Sequence, residues 1–233
     1  MKTFAIIVAG GSGTRFGSAV PKQFVSLAGL PVMLHSVLAM HDALSDVDHD
    51  IIVVLPADQH DTWRDIVAQH RVTVPHSVAT GGATRYHSVY NGLDAAGAMQ
   101  VGDVVLVHDA VRPLATPALI RTVRNAVIDS RHAAVPVVPL TDSVRRVTGA
   151  ATVAVDRKTL VAVQTPQGCD AMQLRHAYFD LVPYNDTLTD DASVIEAAGG
   201  TVVTVPGDPS NIKITHHIDL ATAEAIIKSR QNG

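Results

Sequence analysis

The sequence predicts an α/β fold with a mostly parallel, twisted sheet flanked by helices. Short apolar runs alternate along the chain with segments of helical spacing. The composition is 47% hydrophobic but only 4% aromatic, and Val and Ala are the most frequent apolar residues. Buried parallel strands covered by Ala-rich helices have this composition. Glycine turns follow two of the predicted strands, as expected where ligands bind at the carboxyl ends of an open sheet.

Six short apolar runs are predicted as strands, because they lack the length of a helix and most are rich in β-branched residues. They cover residues 4–8, 51–55, 76–79, 104–107, 133–138 and 201–205. Helices are predicted where proline or capping residues precede apolar positions at helical spacing. They begin near residues 31, 58, 84, 172, 189 and 218, and the fourth runs to residue 181. The repeated strand–helix unit favours the parallel sheet.

Between residues 140 and 163 the helical spacing disappears. Two β-like runs, at 143–148 and 152–155, flank Gly149 and predict a hairpin that stands off the sheet. Exposed apolar strands tend to pair with another chain. We therefore expect a homodimer that forms through this arm, residues 140–163.

The chain has 233 residues, the size of one large domain or two small ones, and no linker or internal repeat divides it. Its net charge of −4 predicts neither a nucleic-acid partner nor a membrane surface. No apolar run reaches the roughly 18 residues of a membrane span, and the first residues do not resemble a signal peptide. We expect a cytoplasmic protein.

Metal centres built from cysteine or histidine are not predicted. A single cysteine, Cys169, excludes an intramolecular disulfide and a cysteine-based metal knuckle. The twelve histidines show no zinc-binding spacing.

The loop at residues 9–22, AGGSGTRFGSAVPK, carries the strongest functional signal. Its glycines allow backbone N–H groups to approach an anion closely. Arg15 and Lys22 then supply a planar guanidinium and a compact ammonium, both suited to the oxygens of a polyphosphate. The loop predicts a nucleotide site, although a glycine turn after a first strand can also be purely structural.

Three better-known glycine motifs are absent from this loop. A Walker loop would need Gly-Lys-Ser/Thr where the chain has Arg15. A dinucleotide fingerprint would need glycine in place of Phe16, and a hydrolase elbow would need glycine in place of Thr14. Nicotinamide-dependent hydride transfer and serine hydrolysis are therefore not predicted.

An acid and a base follow the most apolar strand in the segment HDAVRP, residues 108–113. Asp109 is placed to meet a cation, and a hard carboxylate oxygen suits the Mg²⁺ that polyphosphate chemistry requires. Arg112 can brace Asp109 or bind an anion. An ion pair that merely closes the loop is the structural alternative, and we interpret His108 as structural.

Two further segments carry charge or hydroxyl groups. The run NIKIT, residues 211–215, is predicted as a strand that contains Lys213. Because burying an unpaired charge is costly, Lys213 should face an anion, or water if the strand lies at an edge. Thr189 precedes two acids and is predicted to cap a helix, a role that alone would explain these residues.

Five segments together resemble one family, the 2-C-methyl-D-erythritol 4-phosphate cytidylyltransferases of non-mevalonate isoprenoid precursor biosynthesis. These segments are the first loop and residues 108–113, 156–167, 189–193 and 211–215. The resemblance implies a Rossmann-like nucleotidyltransferase fold with a protruding β-hairpin arm, a single domain over residues 1–233, and a homodimer with interlocked arms. It also implies that Mg²⁺ assists the transfer of a cytidylyl group from CTP to a sugar-alcohol phosphate, with release of pyrophosphate.

The resemblance assigns roles to individual residues. The charge-stabilising catalytic residues would be Arg15, Lys22 and Lys213. The nucleotide would contact Ala9, Gly10, Gly11, Gly13, Gly81, Gly82, Ser88 and Asp109, and Asp109 would also hold the metal. The alcohol phosphate would contact Arg112, Ser143, Arg157, Thr165 and Thr189, with Arg157 reaching it from the neighbouring subunit.

Two residues depart from the family pattern, and two other functions remain open. Ser143 stands where threonine is common and keeps a hydroxyl, whereas Ala83 stands where an acid is frequent and removes one contact or leaves it to the backbone. Ribitol-5-phosphate cytidylyltransferase shares the first loop and HDAVRP, but residues 155–157 and 188–193 are closer to the methylerythritol enzyme. A non-catalytic nucleotide-binding module would be expected to lack the site's charged residues.

Overall fold

A computed structural model describes residues 1–9, 20–184 and 187–232. Its strands are β1 (Thr3–Val8), β2 (Ser26–Leu27), β3 (Leu30–Pro31), β4 (His49–Leu55), β5 (Ser77–Thr80), β6 (Val104–Asp109), β7 (Ala133–Pro139), β8 (Val144–Thr148), β9 (Ala151–Val155), β10 (Val161–Val163), β11 (Gln167–Asp170) and β12 (Val202–Pro206). Its α-helices are α1 (Val32–Leu44), α2 (His60–Gln69), α3 (Arg85–Ala95), α4 (Pro117–Ser130), α5 (Ala171–His176), α6 (Asp191–Ala197) and α7 (His217–Gln231). None of the helices in these ranges is long and apolar enough to cross a membrane.

The main sheet confirms the predicted α/β class. Across its described part the strand order is β10-β7-β11-β6-β1-β4-β5, and β12 also pairs with β7. Strands β6, β1, β4 and β5 run parallel, as does the β12–β7 pair, whereas β10 and β11 are antiparallel to their neighbours. All six predicted strands are present, each shifted or extended by at most two residues at either end.

Strand β1 is buried on both faces, which explains its uninterrupted run of apolar residues. Ala5 and Ile7 belong to the core layer that contains residues of α1 and α4. Phe4 and Ile6 belong to the opposite layer, with residues of α3 and α5. Period-two alternation of side chains along the strand therefore supplies both layers at once. The sheet is covered by helices on its two faces.

The predicted arm is a separate two-stranded sheet. Strands β8 and β9 pair antiparallel from Val144 opposite Val155 to Thr148 opposite Ala151. Gly149 has φ +65°, a left-handed conformation that glycine adopts without strain, and it makes the turn. Val147 is 73% exposed and Val153 is 58% exposed. The hairpin prediction is confirmed, and its apolar side chains lie open to solvent.

Three local predictions are wrong. Residues 211–215 form no strand: the N–H of Ile214 donates to the carbonyl of Val111 in a loop, so no ladder forms. Asp190, rather than Thr189, caps α6, because its carboxylate accepts from the N–H of Ser193 at 2.9 Å. Helix α5 ends at His176, and the chain continues to residue 181 as a π-helical turn.

Candidate active site

The carboxyl ends of the parallel strands lie at one edge of the sheet. Val8 of β1 is in register with Val54 of β4 on one side and with Asp109 of β6 on the other. Ala9 follows directly, is 4% exposed and donates its N–H to the carbonyl of Val54. The loops after β1, β5 and β6 therefore leave from the edge where ligands bind in open α/β sheets.

Asp109 is the centre of a charged cluster at this edge. Its Oδ2 lies 2.8 Å from Lys213 Nζ and 3.6 Å from Arg112 Nε, and its Oδ1 lies 3.3 Å from Arg85 Nε. The predicted residues Asp109, Arg112 and Lys213 are thus brought together. Lys213 faces an anion, which is one of the two alternatives predicted for it. Its side chain is nevertheless 43% exposed, so it can also reach a ligand.

The surrounding cations keep Asp109 ionised. Burial of the carboxyl group opposes ionisation, but Arg85, followed by Lys213 and Arg112, outweighs this effect and holds the pKa of Asp109 well below its usual range. Arg112 is anchored from the other side, since its Nη1 donates to the carbonyl of Asn211 at 2.8 Å. The cluster is a fixed carboxylate with an excess of positive charge around it.

Thr165 and His108 support Asp109 from within the protein. The Thr165 hydroxyl accepts the N–H of Asp109 at 3.0 Å and lies 3.0 Å from His108 Nδ1. Because His108 Nε2 lies 3.2 Å from the carbonyl of Arg112, we assign the ring proton to Nε2, so Thr165 donates to Nδ1. Burial lowers the pKa of His108 to about 4, which keeps the ring neutral. The interpretation of His108 as structural agrees with these contacts.

The end of the first loop approaches the same cluster. Lys22 lies in a 3₁₀ turn, Lys22–Phe24, and its Nζ donates to the carbonyl of Ile214 at 3.2 Å, one residue beyond Lys213. The neighbouring Gln23 is 1% exposed, and its amide donates to Gln59 Oε1 at 2.6 Å and to the carbonyl of Ala9 at 3.4 Å. Gln23 therefore joins the two ends of the loop. Gly10, Gly11, Gly13 and Arg15 lie outside the described residues, and their roles stay predictions.

The second glycine turn is closed by Ser88. The Ser88 hydroxyl accepts the N–H of Gly82 at 3.0 Å and donates to the carbonyl of Thr84 at 2.9 Å. A Cβ atom at Gly82 would lie 2.3 Å from the Cβ of His87, whereas at Gly81 it would lie 3.3 Å from Ser88 Oγ. The turn therefore requires glycine at position 82 for close packing on α3. Ser88 is fully buried and shapes the turn from inside.

Three of the predicted substrate residues are exposed. Ser143 and Arg157 belong to the arm region, and Arg157 Nη1 donates to the carbonyl of Thr141. Thr189 is exposed just before α6. None of the described ion pairs or hydrogen bonds joins these three residues to the Asp109 cluster within one chain.

Sequence reasoning missed Arg85 and Asp191 as site residues. Arg85 contacts Asp109 and also donates from Nη2 to Asp191 Oδ2 at 2.7 Å. A signal for Arg85 was present, because a cation at the first position of a helix opposes the helix dipole and needs an acidic partner. Asp191 carried no comparable sequence signal, because the helix dipole already explains an acid in the first turn of α6.

The fold and the site define an α/β protein that gathers lysine and arginine side chains around a carboxylate at the carboxyl edge of its sheet. Comparison with known proteins gives the family. The family model "2-C-methyl-D-erythritol 4-phosphate cytidylyltransferase" matches residues 3–229. The chain belongs to this family, whose members are nucleotidyltransferases that generally use a divalent cation.

Individual relatives and structures agree with this assignment. Cytidylyltransferases of this name from Bacteroides fragilis and Bacteroides thetaiotaomicron are 42% and 41% identical to the chain, over 96% and 97% of its length and 98% and 100% of theirs. The crystal structure of 4-diphosphocytidyl-2C-methyl-D-erythritol synthase from Anaerococcus prevotii matches with a TM-score of 0.81 at 27% identity, covering 97% of this chain and 98% of that one. The cytidylyltransferase of the same family from Thermus thermophilus matches with a TM-score of 0.76 at 29% identity, covering 98% and 100%.

Proposed function

We propose that this protein transfers the cytidylyl group of CTP to 2-C-methyl-D-erythritol 4-phosphate, giving 4-diphosphocytidyl-2-C-methyl-D-erythritol and pyrophosphate in the non-mevalonate route to isoprenoid precursors. The observation that carries the proposal is that Arg112 and Lys213 contact Asp109 and that Lys22 bonds to the segment carrying Lys213, in a member of this family. These residues come from three separate segments. Their convergence supports a site for two phosphorylated substrates.

Catalysis of this reaction depends on positioning the substrates and stabilising negative charge, rather than on a general base. An oxygen of the alcohol's phosphate attacks the α-phosphorus of CTP; the new P–O bond forms as the bond to the bridging oxygen breaks, and pyrophosphate leaves. The nucleophile is already an anion, so no side chain has to remove a proton. The protein must bring two anions together and stabilise negative charge on the α-phosphate.

We assign this charge stabilisation to Arg15, Lys22 and Lys213. Lys213 is half-exposed and paired with Asp109, so it is held near the sheet edge yet able to turn toward a phosphate. Lys22 is supported by the carbonyl of Ile214 and approaches from the opposite segment. Once such cations are placed against the bound substrates, they stabilise a transition state without further reorganisation during the reaction.

The nucleotide is proposed to bind along the carboxyl edge of the sheet. Ala9 and the glycines of the first loop, Gly10, Gly11 and Gly13, would offer backbone N–H groups to the phosphates. Gly81 and Gly82, held by Ser88, would receive the base and ribose. The close packing of Gly82 against His87 supports a turn whose shape is fixed before the ligand arrives.

Asp109 fits a role as ligand of Mg²⁺. Its carboxylate provides the hard oxygens that Mg²⁺ prefers, and one carboxylate is sufficient where substrate phosphates and water complete the shell. Lys213 now lies on Oδ2, and its exposure allows it to leave that oxygen to the metal. Within the described ranges no group of three or more metal-binding side chains is present, which fits a metal carried largely by phosphates. When bound, the cation would offset the negative charge of the triphosphate.

The alcohol phosphate is proposed to contact Arg112, Ser143, Arg157, Thr165 and Thr189. Thr165 is 4% exposed, with its hydroxyl bonded to the Asp109 backbone and to His108, so its contribution includes the support of Asp109. Ser143 and Arg157 lie in the exposed arm, which supports their acting on a neighbouring subunit's site.

We further propose that residues 1–233 form one cytidylyltransferase domain and that residues 140–163 are its dimerisation arm. The exposed valines of the arm support this assignment. A cytoplasmic location is proposed with it, because CTP is an intracellular nucleotide.

Pyrophosphate release tests the function. The purified protein is incubated with CTP and Mg²⁺ together with methylerythritol 4-phosphate, with ribitol 5-phosphate, or with no alcohol. Release with the first alcohol alone is expected. Release with ribitol 5-phosphate instead would make the protein the sister cytidylyltransferase. CTP binding without any release would make it a non-catalytic nucleotide-binding module.

A further inference from the structure

Arg85 lies between two buried carboxylates. Its Nη2 donates to Asp191 Oδ2 at 2.7 Å, and its Nε donates to Asp109 Oδ1 at 3.3 Å. Asp191 is 3% exposed and Asp109 is 7% exposed. Burial opposes the charge on Arg85, but Asp191 and then Asp109 outweigh it and raise the pKa of the guanidinium. The cation is therefore shared between the two acids and lies closer to Asp191.

Asp191 is itself fixed in place. Its other oxygen, Oδ1, accepts from the Tyr178 hydroxyl at 2.7 Å, and Tyr178 is 3% exposed. The carbonyl of Tyr178 in turn accepts from the Tyr86 hydroxyl at 3.0 Å. Asp191 also opens α6, where the helix dipole favours a negative charge. Both carboxylate oxygens are thus engaged, and the position of Asp191 is set by packed neighbours.

We propose that Asp191, supported by Tyr178, is a positioning residue that holds Arg85 back from full contact with Asp109. With Arg85 held there, the Asp109 carboxylate keeps its orientation, and its Oδ2 stays in contact with Lys213. The inference rests on the proposed function, in which Asp109 and Lys213 belong to the reacting site. It adds two residues, from the π-helical turn and from α6, whose effect reaches that site through Arg85.

The physical reason is the balance of charge around Arg85. In Asp191→Asn an amide replaces the carboxylate, so Arg85 loses its nearer negative partner. The side chain of Arg85 is only 27% exposed, so its guanidinium still favours a counter-charge, and Asp109 is the remaining acid in contact with it. Arg85 then moves onto Asp109, turns the carboxylate and weakens the contact with Lys213. The substitution also removes one negative charge from the neighbourhood of the nucleotide site. We therefore do not expect it to weaken the binding of the anionic CTP.

The first experiment separates kcat from KM. Asp191→Asn is expected to lower kcat by about 10- to 100-fold, while KM for CTP stays equal or falls. A loss of this size is typical when a residue that orients a functional side chain, without contacting the substrate, is replaced. Tyr178→Phe should act in the same direction with a smaller loss. Asp190→Asn is the matched control: Asp190 caps the same helix through Ser193 and contacts Gln167, and it makes no described contact with Arg85. Asparagine is an equally good cap, so this variant should keep kcat within about two-fold.

The second experiment is a double-mutant cycle. Because Asp191 acts through Arg85, Asp191→Asn should have no further effect on kcat in the Arg85→Gln background. The single variant Arg85→Gln leaves a buried acid unpaired, so the double variant should be more stable than Arg85→Gln. An equal loss of kcat in both backgrounds, or an Asp191→Asn enzyme with wild-type kcat, would overturn the proposal.

The crystal structure of Asp191→Asn gives a readout that does not depend on the reaction. The distance from Arg85 Nε to Asp109 Oδ1 should shorten from 3.3 Å, and the Lys213–Asp109 contact should lengthen from 2.8 Å. Unchanged distances would contradict the inference. If wild-type protein releases no pyrophosphate, the proposed function fails, and this structure still decides the positioning role.

Discussion

Lys22 Nζ lies 3.2 Å from the carbonyl oxygen of Ile214, so a residue at the end of the first loop meets a segment 192 residues further along the chain. Ile214 is fully buried and directly follows Lys213, whose own Nζ contacts Asp109. The contact places Lys22 beside the segment that carries Lys213, so two lysines from opposite ends of the sequence approach the same edge of the sheet. This relationship underlies the first two predictions.

Lys22→Ala is expected to lower kcat by about 10²–10³-fold, because it removes one preorganised cation from the transition state. The fold should persist, since Lys22 is partly exposed at the sheet edge. Steady-state kinetics and a thermal unfolding curve measure the two effects. Lys228→Ala, on the exposed side of α7, is the control and should match wild type. Wild-type turnover by Lys22→Ala would remove this lysine from the mechanism.

Asp109→Asn is expected to lower the free energy of unfolding by about 3–5 kcal/mol, because it leaves the cations that surround this buried carboxylate without their partner. Urea unfolding measures the change. Asp50→Asn is the matched control: Asp50 pairs with Lys2 at 2.7 Å but is half exposed, so its loss should cost less than about 1 kcal/mol. Similar values for both variants would mean that burial does not strengthen the role of Asp109.

Gly82→Ala is expected to raise KM for CTP and to destabilise the fold by about 1–3 kcal/mol, because the added Cβ would lie 2.3 Å from the Cβ of His87 and force the turn to move. Gly81→Ala should have a smaller effect, since its Cβ would meet the Ser88 hydroxyl at 3.3 Å. Calorimetric CTP titration and urea unfolding test both. A larger effect from Gly81→Ala than from Gly82→Ala would contradict the predicted packing of this turn.

The stability of the metal-free protein should fall between pH 6.5 and about 4 because of His108. The unfolded histidine gains a proton near its ordinary value of 6.5, whereas the buried ring has a pKa of about 4. Within this window the unfolded state binds more protons, so stability is lost as the pH falls, by about 3 kcal/mol over the whole range. In His108→Gln this contribution should be missing. Equal pH slopes for the two proteins, measured by urea unfolding with EDTA present, would disprove the assignment.

Val147→Asp in the arm should weaken the proposed dimer, because it puts a charge into an apolar contact surface. The wild-type protein should have the mass of two chains of 24.6 kDa each by light scattering, and the variant should shift toward one chain. Val101→Asp is the control, since Val101 is 90% exposed and lies outside the arm. A wild-type monomer would refute the dimer and the role of Arg157 in a neighbouring site.

Residues 211–215 show what a local sequence pattern predicts and what it misses. Lys213 contacts the carboxylate of Asp109, which is one of the two alternatives predicted for it, but the predicted strand is wrong. The side chain of Asn211 donates to the carbonyl of Thr165, and the N–H of Ile214 donates to the carbonyl of Val111. These long-range hydrogen bonds hold the segment as a loop, and a local pattern does not contain them.

The sequence by itself determined the α/β class, the buried strand β1 and the exposed hairpin. Each of these depends on local spacing, on composition or on a short motif, and these are properties of the sequence itself. The tertiary structure decided which side chains meet. The register of β1 with β6 places Asp109 at the ligand edge, and the approach of α6 to the start of α3 brings Arg85 between Asp109 and Asp191. Such contacts join distant residues through strand pairing and core packing, and no spacing along the chain encodes them.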